Sequence, residues 1–245
     1  MTAKAVPVTL LHGWGIDSTI WQPLVQRLKP AFAPLSLDLP GYGTRQAMHD
    51  DWTLDSLATD VLAHAPQHSI LIGWSLGGLL ALYIAAHYPT DIRAVMTLAS
   101  SPAFVQREHW PWAMEQASFH AFKQHCQDDP ESCLRQFKRL ISHGADKDTI
   151  RGVQRLDCQI APHALAKGLE LLELGDLRAQ LPSVQRPVVH LLAQHDALIP
   201  ASLGVPLAQL SPQAKVHIID GASHALPFSH SQVIVSHLEG LTHAA

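Results

Sequence analysis

Hydrophobic residues recur along this chain in two alternating patterns. Short apolar runs suited to buried strands occupy residues 6–11, 32–37, 69–72, 92–98, 188–192 and 216–219. Stripes of apolar residues at helical spacing cover residues 18–28, 54–65, 79–86 and 233–241. Apolar strands that alternate with helices are typical of a parallel sheet covered on both faces. The pattern therefore predicts an α/β fold with a mostly parallel central sheet.

The alternation stops in the middle of the chain. From residue 110 to about residue 174 there are helical stripes and no convincing strand, and the strand pattern returns at residue 188. We interpret residues 1–107 and 179–245 as two parts of one core. Residues 108–178 are then a helical lid, inserted at the sheet edge where ligands bind in open α/β sheets. The alternative is a set of extra helices packed on the core.

One motif lies at a junction between a strand and a helix. Gly73-Trp74-Ser75-Leu76-Gly77-Gly78 follows the run at 69–72 and precedes the stripe at 79–86. A G-x-S-x-G sequence in this context is typical of a nucleophile elbow, whose tight turn excludes bulky flanking side chains. We therefore predict Ser75 as a nucleophile, with an ordinary structural turn as the alternative.

A serine nucleophile needs a base, and the base needs an acid that orients it. In elbow enzymes these partners follow the serine in the order acid, then histidine. Asp196 comes just after the run at 188–192, and His224 follows the run at 216–219. Strand ends meet at one edge of a parallel sheet, so we predict Asp196 as the orienting acid and His224 as the base. The alternatives are a loop cap for Asp196 and a surface histidine for His224.

Other candidates for these roles fit less well. Asp38 precedes the serine and leads into a Pro/Gly turn, which suits a turn-capping residue. Asp220 has a spacing that suits a turn, and His195 is expected to point away from the site.

Acyl transfer needs hydrogen-bond donors at the position where the oxyanion forms. We expect them to be the backbone N–H groups of Leu76, after the nucleophile, and of Trp14, in the loop after the first strand. The Trp14 indole is expected to form one wall of the pocket, with ordinary packing as the alternative. His12 is expected to bond loop backbone.

The composition narrows the class of protein. The 245 residues carry a net charge of −4, which favours neither nucleic acid nor an anionic membrane as a partner. No stretch is long enough to span a membrane, and the first apolar run is too short for a secretory signal. The odd number of cysteines favours reduced thiols in a cytoplasmic protein: Cys126, Cys133 and Cys158. The 17 histidines form no metal-ligand pattern, so we predict no metal.

These motifs resemble those of the α/β-hydrolase superfamily along essentially the whole chain. The resemblance rests on His12-Gly13-Trp14-Gly15, the elbow, Asp196 with Ile199-Pro200, and Gly221-x-x-His224. More narrowly, the loops at 11–15, 38–43 and 99–102, with Trp110-Pro111, are similar to the carboxylesterase family of biotin synthesis. That resemblance implies hydrolysis of the methyl ester of a pimeloyl chain held by acyl carrier protein, without a cofactor.

In that family the lid holds the acidic carrier protein with basic residues and lines the acyl channel with an aromatic residue. Segment 132–155 has an excess of positive charge in a chain that is negative overall. We expect these basic residues to contact the carrier: Arg135, Lys138, Arg139, Arg151 and Arg155. The alternative is a solvated helix face. We expect Phe137 and Ile141 to bind the acyl chain, with plain lid core as the alternative for Phe137.

The sequence as a whole predicts a monomeric serine carboxylesterase that acts through an acyl-enzyme. Its expected partner is the loaded acyl carrier protein, not nucleic acid or a membrane. The same triad also serves a general short-chain carboxylesterase or a carbon–carbon bond hydrolase. A ligand receptor that kept the fold and lost turnover is the alternative from another class.

Overall fold

The structure is a computed structural model that describes residues 5–47 and 52–244. Residues 1–4, part of the segment considered above as a secretory signal, lie outside the described residues. Six strands form one sheet in the order β2-β1-β3-β4-β5-β6, and each neighbouring pair is parallel. They are β1 (Val6–Leu11), β2 (Phe32–Leu37), β3 (Ser69–Trp74), β4 (Ile92–Leu98), β5 (Val188–Ala193) and β6 (Lys215–Ile219). The predicted α/β fold is confirmed.

Helices connect the strands of this sheet, and four of them lie between β4 and β5 in the chain. In the described residues the α-helices are α1 (Gln22–Val25), α2 (Leu54–His64), α3 (Leu76–His87), α4 (Gln116–Asp128), α5 (Pro130–Ile141), α6 (Lys147–Arg155), α7 (Pro162–Leu174), α8 (Gly204–Leu210), α9 (Leu226–Ser229) and α10 (Ser231–Ala244). Short 3-10 helices occupy Ser18–Trp21, Leu181–Ser183 and Ala201–Leu203. No helix in this part of the chain is both long and apolar enough to cross a membrane.

The expected helix at 18–28 is divided into two pieces. A 3-10 helix, Ser18–Trp21, is followed by the single turn of α1. Pro23 lies in the first turn of α1, where a residue without an N–H loses no helical hydrogen bond. Apolar spacing cannot distinguish this arrangement from one continuous helix.

The sheet is most deeply buried at the strands that lead to the candidate site. Every residue of β3 and of β5 is buried, whereas β2 lies at an edge and accommodates the exposed Pro34. Proline is tolerated on an edge strand because one side of that strand needs no partner for its N–H groups. The buried strands therefore give the loops at their carboxyl ends a rigid base.

Helices α4 to α7, which we call the helical insertion, lie between β4 and β5 in the chain. The N–H of Leu177 donates to the carbonyl of Pro102 over 2.9 Å, which holds the two ends of the insertion together. The indole N–H of Trp14 donates to the carbonyl of Leu165 over 2.8 Å. Since Trp14 follows β1, this bond fixes the insertion to the carboxyl edge of the sheet.

Candidate active site

Ser75 lies at a sharp turn between β3 and α3. Its backbone has φ +53° and ψ −118°, a conformation that residues with a Cβ rarely adopt. A Cβ on Gly73 would lie 2.2 Å from the carbonyl oxygen of Gly77, and one on Gly77 would lie 2.2 Å from that of Leu11. Both glycines are therefore required by close approach of the backbone, as the motif predicts.

The backbone around Ser75 is held by hydrogen bonds. Its N–H donates to the Leu98 carbonyl at the end of β4, over 3.0 Å. Its carbonyl accepts from the N–H groups of Gly78 and Leu79 and from the hydroxyl of Ser100. Leu76 is the first residue of α3, so its N–H has no acceptor within the helix and lies at the positive end of the helix dipole.

Asp196 and His224 are in direct contact, although 28 residues separate them. The two Asp196 carboxylate oxygens lie 2.8 and 3.0 Å from Nδ1 of His224, and both side chains are fully buried. The carboxylate also accepts the N–H groups of Leu198 and Ile199, which fix its position. A carboxylate accepts, so Nδ1 donates, and Nε2 of a neutral ring is then free to accept a proton.

The loop of His224 is bonded to the elbow and to the insertion. The indole N–H of Trp74, which immediately precedes Ser75, donates to the His224 carbonyl over 2.8 Å, and their rings lie 5.4 Å apart. The N–H of Ala225 donates to the carbonyl of Ile141 over 2.9 Å. Nε2 of His224 is buried and has no hydrogen-bond partner, so the Ser75 hydroxyl is not bonded to it in this structure.

The other acidic and histidine candidates have structural contacts. Asp38 accepts from the N–H of Ser18 and from the N–H and hydroxyl of Thr44. Burial opposes ionisation of Asp38, but these hydrogen bonds outweigh it and lower the pKa of the carboxyl. Asp220 and His195 are exposed, and neither contacts Asp196 or His224 through its side chain.

His12 bonds loop backbone, as expected. Its Nε2 accepts the N–H of Leu39 over 2.9 Å, and its Nδ1 lies 2.8 Å from the Gly13 carbonyl. Burial lowers the pKa of this ring and favours the neutral form. His12 therefore joins the loops after β1 and β2.

The loop after β1 reaches Ser75. A Cβ on Gly13 would lie 3.0 Å from the Cβ of Ser75 and 2.8 Å from the Trp74 ring. The next residue, Trp14, is buried, and its backbone N–H donates to no other described residue. The loop that reaches Ser75 therefore carries a backbone N–H without a described acceptor, in the segment where the sequence predicts an oxyanion donor.

A cavity of about 590 Å³ opens at Ser75. The core contributes Trp14, Ser75, Phe104, Ala197 and Leu198, and Met114 comes from the segment just before α4. The insertion supplies the remaining lining residues: Ser118, Phe119, Ala121, Phe122, His125, Gln136, Phe137, Leu140, Leu169 and Leu172. The walls are mostly apolar, so the cavity suits a hydrocarbon chain.

Of the two residues expected to bind the acyl chain, Phe137 lines this cavity and Ile141 does not. The Phe137 ring meets Trp14 edge-on, with centroids 4.8 Å apart. Ile141 is fully buried outside the cavity wall, and Leu140 takes the position expected for it. Adjacent helix residues differ by about 100° in direction, so a shift of one position turns a side chain off the cavity face.

The basic residues of the insertion differ in their surroundings. Arg135 lies 3.6 Å from Glu131 and Arg151 lies 3.5 Å from Asp148, both at the surface. Lys138 is partly buried and donates to the carbonyl of Leu156. Arg139 and Arg155 are exposed and form no ion pair with a described residue. Glu131 precedes the segment 132–155, and its negative charge offsets the positive charge of Arg135.

The prediction of reduced thiols is wrong for two of the three cysteines. Cys126 near the end of α4 and Cys133 in α5 form a disulfide, with their Cα atoms 5.0 Å apart. The turn at Asp129 brings the two helices together, which a spacing of seven residues did not reveal. Cys158 is a free thiol, and burial raises its pKa to about 11. Among the described residues there is no cluster of three side chains able to bind a metal ion.

A family comparison agrees with this geometry. A model of the alpha/beta hydrolase family matches residues 10–237, which is most of the chain. The chain belongs to the alpha/beta hydrolase family. Among solved structures, this hydrolase is similar to the esterase EaEST from Exiguobacterium antarcticum, with a TM-score of 0.86 over 97% of this chain and 91% of that one. The two sequences are 19% identical, so this likeness concerns the fold alone.

Curated relatives within the hydrolase family are similar at the level of sequence. The pimeloyl-[acyl-carrier protein] methyl ester esterase of Vibrio vulnificus strain YJ016 is 34% identical over 226 residues, covering 90% of this chain and 88% of the relative. The biotin biosynthesis bifunctional protein BioHC of Cellvibrio japonicus is 33% identical over 94% of this chain. This hydrolase spans about half of that longer protein, 46% of its length.

Sequence reasoning missed most of the cavity wall. Phe119 and Phe122 of α4 and Leu169 and Leu172 of α7 face the cavity, and no motif in the sequence indicates this role. Each pair is three residues apart, the spacing of one helix face. That signal was present, but it could not show whether the face meets a core or a cavity.

Proposed function

We propose that this chain is a serine carboxylesterase that hydrolyses the methyl ester of pimeloyl-[acyl-carrier protein] in biotin biosynthesis, with Ser75, His224 and Asp196 as its catalytic triad. The observation that carries the proposal is the buried His224 ring, held at Nδ1 by Asp196 and open at Nε2, in a loop bonded to Trp74 beside Ser75. A base with this orientation suits removal of a proton from a serine hydroxyl.

The proposed reaction begins when Ser75 attacks the ester carbonyl and His224 takes the hydroxyl proton at Nε2. The developing oxyanion is stabilised by the N–H groups of Leu76, after the nucleophile, and of Trp14, in the loop after β1. His224 then returns the proton to the methanol that leaves. Water hydrolyses the acyl-serine by the same route, so the enzyme needs no cofactor.

The cavity supports an acyl substrate. In this proposal the insertion is a lid, and the hydrocarbon chain lies against Phe137 and the neighbouring apolar walls. About 590 Å³ lies in the range of cavities that enclose small ligands. Four exposed basic side chains on α5 and α6 suit an acidic carrier protein: Arg135, Arg139, Arg151 and Arg155. Lys138 contributes less, because it is engaged with the Leu156 carbonyl.

The decisive experiment compares wild type with Ser75→Ala on the methyl ester of a pimeloyl chain bound to acyl carrier protein. We expect turnover and labelling by a fluorophosphonate in wild type, and neither in the variant. Normal hydrolysis by Ser75→Ala would refute the triad. A wild-type protein that neither reacts with the probe nor turns over the ester would be the ligand receptor considered above.

The carrier requires a separate test with charge reversal. The double variant Arg139→Glu and Arg155→Glu should raise KM several-fold for the carrier-bound ester at low salt, and high salt should diminish the difference. Arg27→Glu is the matched control, because Arg27 is exposed and lies outside the insertion. Equal efficiency on free and carrier-bound esters would instead favour a general short-chain carboxylesterase.

A further inference from the structure

The cavity contains one polar group that neither the triad nor the fold accounts for. His125 of α4 lines the cavity, and its Nε2 is buried without a hydrogen-bond partner. Nδ1 of the same ring makes no hydrogen bond to a described residue either. Buried polar atoms in folded proteins nearly always have a partner, so an unpaired one in a ligand cavity indicates where a ligand atom belongs.

The other polar residues of the cavity wall differ from His125. Ser118 and Gln136 are exposed and can bond water at the mouth of the cavity. Nε2 of His125 is excluded from solvent and surrounded by a mostly apolar wall. A buried imidazole nitrogen in such a wall discriminates between a chain that offers it a partner and a chain that does not.

The position of His125 on α4 suits contact with the acyl chain rather than with the reacting ester. It lies three residues, about one helical turn, beyond Phe122 on the same face of α4. Phe122 and Phe137 both pack against Trp14, with centroids 5.5 and 4.8 Å from its ring. These three rings connect the loop beside Ser75 to the part of α4 that bears His125.

We propose that Nε2–H of His125 donates a hydrogen bond to a carbonyl oxygen at the far end of the acyl chain, away from the ester that Ser75 attacks. This inference rests on the proposed esterase function. In it, His125 recognises a substrate that carries a carbonyl at both ends of the chain. In the carrier-bound substrate the acceptor is the thioester carbonyl. A simple fatty acyl ester has no acceptor there and leaves Nε2 unpaired.

The test compares two methyl esters with the same number of chain carbons. Dimethyl pimelate offers a distal carbonyl, and methyl heptanoate does not. The readout is the ratio of kcat/KM for the two esters, measured in wild type, His125→Leu and His125→Gln. Because each ratio is compared between variants, the second reactive ester of dimethyl pimelate does not affect the comparison.

We expect His125→Leu to lower this ratio by between about 2- and 10-fold, the range for loss of one neutral hydrogen bond. His125→Gln should retain much of the preference, since its amide nitrogen can occupy the position of Nε2. His120→Leu, on α4 but outside the cavity wall, is the matched control and should keep the wild-type ratio. If His125→Leu fails to fold, the nitrogen chemical shift of the His125 ring is followed in Ser75→Ala, which does not consume the esters. A shift with dimethyl pimelate and none with methyl heptanoate would support the role of His125, and equal shifts would refute it.

The outcomes separate the two proposals. Hydrolysis of both esters with the same ratio in wild type and His125→Leu would overturn the role of His125 and leave the esterase intact. If wild type hydrolyses no ester, the proposed function fails, and the role of His125 is judged by equilibrium binding of the two esters. Tighter binding of dimethyl pimelate that His125→Leu abolishes would support it, and equal binding of the two esters would refute it.

Discussion

The strained backbone at Ser75 predicts that glycine is more stable than alanine at this position. With φ +53° and ψ −118°, the residue is held where a Cβ is unfavourable, at a cost of about 1–3 kcal/mol. Glycine relieves that strain. It also lowers the free energy of unfolding by about 0.5–1 kcal/mol, because the unfolded chain has more conformational freedom with glycine than with alanine. Taken near the middle of both ranges, these effects leave Ser75→Gly more stable than Ser75→Ala by about 1 kcal/mol.

Denaturant unfolding of the two variants measures this difference directly. Neither carries the hydroxyl, so the comparison reports the backbone and not the chemistry. For a chain of this size the melting temperatures should differ by about 2–4 °C. Ala166 is an exposed residue in the middle of α7. There glycine should be less stable than alanine, and Ala166→Gly should lower the free energy of unfolding by about 1 kcal/mol. An alanine variant as stable as the glycine variant would show that the elbow stores no strain.

Three further predictions concern the proposed acid, a buried histidine and the disulfide. Asp196→Asn should lower kcat by about 10⁴-fold on a methyl ester, because an amide no longer holds His224 with Nε2 as the proton acceptor. Burial lowers the pKa of His190 to about 4 in the folded protein. As the pH falls, this histidine is therefore protonated in the unfolded chain before it is protonated in the folded one. The free energy of unfolding should therefore drop by about 3 kcal/mol between pH 6.5 and 4, a slope that His190→Asn removes in denaturant titrations. Reduction of the Cys126–Cys133 disulfide should lower stability by about 2 kcal/mol in calorimetry, the entropy of a short closed loop.

Each of these has a result that contradicts it. Unchanged kcat in Asp196→Asn would remove the carboxylate from the mechanism. An equally steep loss of stability in His190→Asn would assign the acid sensitivity to other groups. A Cys126→Ser, Cys133→Ser double variant that melts at the temperature of wild type without reductant would show that the disulfide does not stabilise the insertion.

Local sequence was sufficient for the elements of the sheet and for the elbow. Strand β3 is a buried apolar run, and the turn after it needs glycine because neighbouring backbone occupies the space of a Cβ at Gly73 and Gly77. These requirements act over a few residues, so the sequence expresses them directly. The same holds for Asp38 and His12, whose loop contacts follow from their places in Pro/Gly turns.

The arrangement of the helical insertion was not accessible in this way. Ile141, expected from the sequence to bind the acyl chain, lies outside the cavity, and the spacing of Cys126 and Cys133 does not predict their disulfide. Both depend on the direction in which a helix is rotated and on the angle at which it meets the next one. A single residue of register turns a side chain by about 100°, and apolar spacing specifies a helix face without specifying its neighbour.

The sequence by itself determined which residues form strands, where the chain turns sharply, and that an acid and a histidine follow two later strands. Only the tertiary structure decided that Asp196 and His224 meet within hydrogen-bond distance, that Trp74 holds the loop of His224 beside the elbow, and that Nε2 of His125 is buried without a partner. The physical reason is range. Periodicity and turn chemistry act between near neighbours in the chain, whereas these contacts depend on the order of six strands and on the packing of helices against their ends.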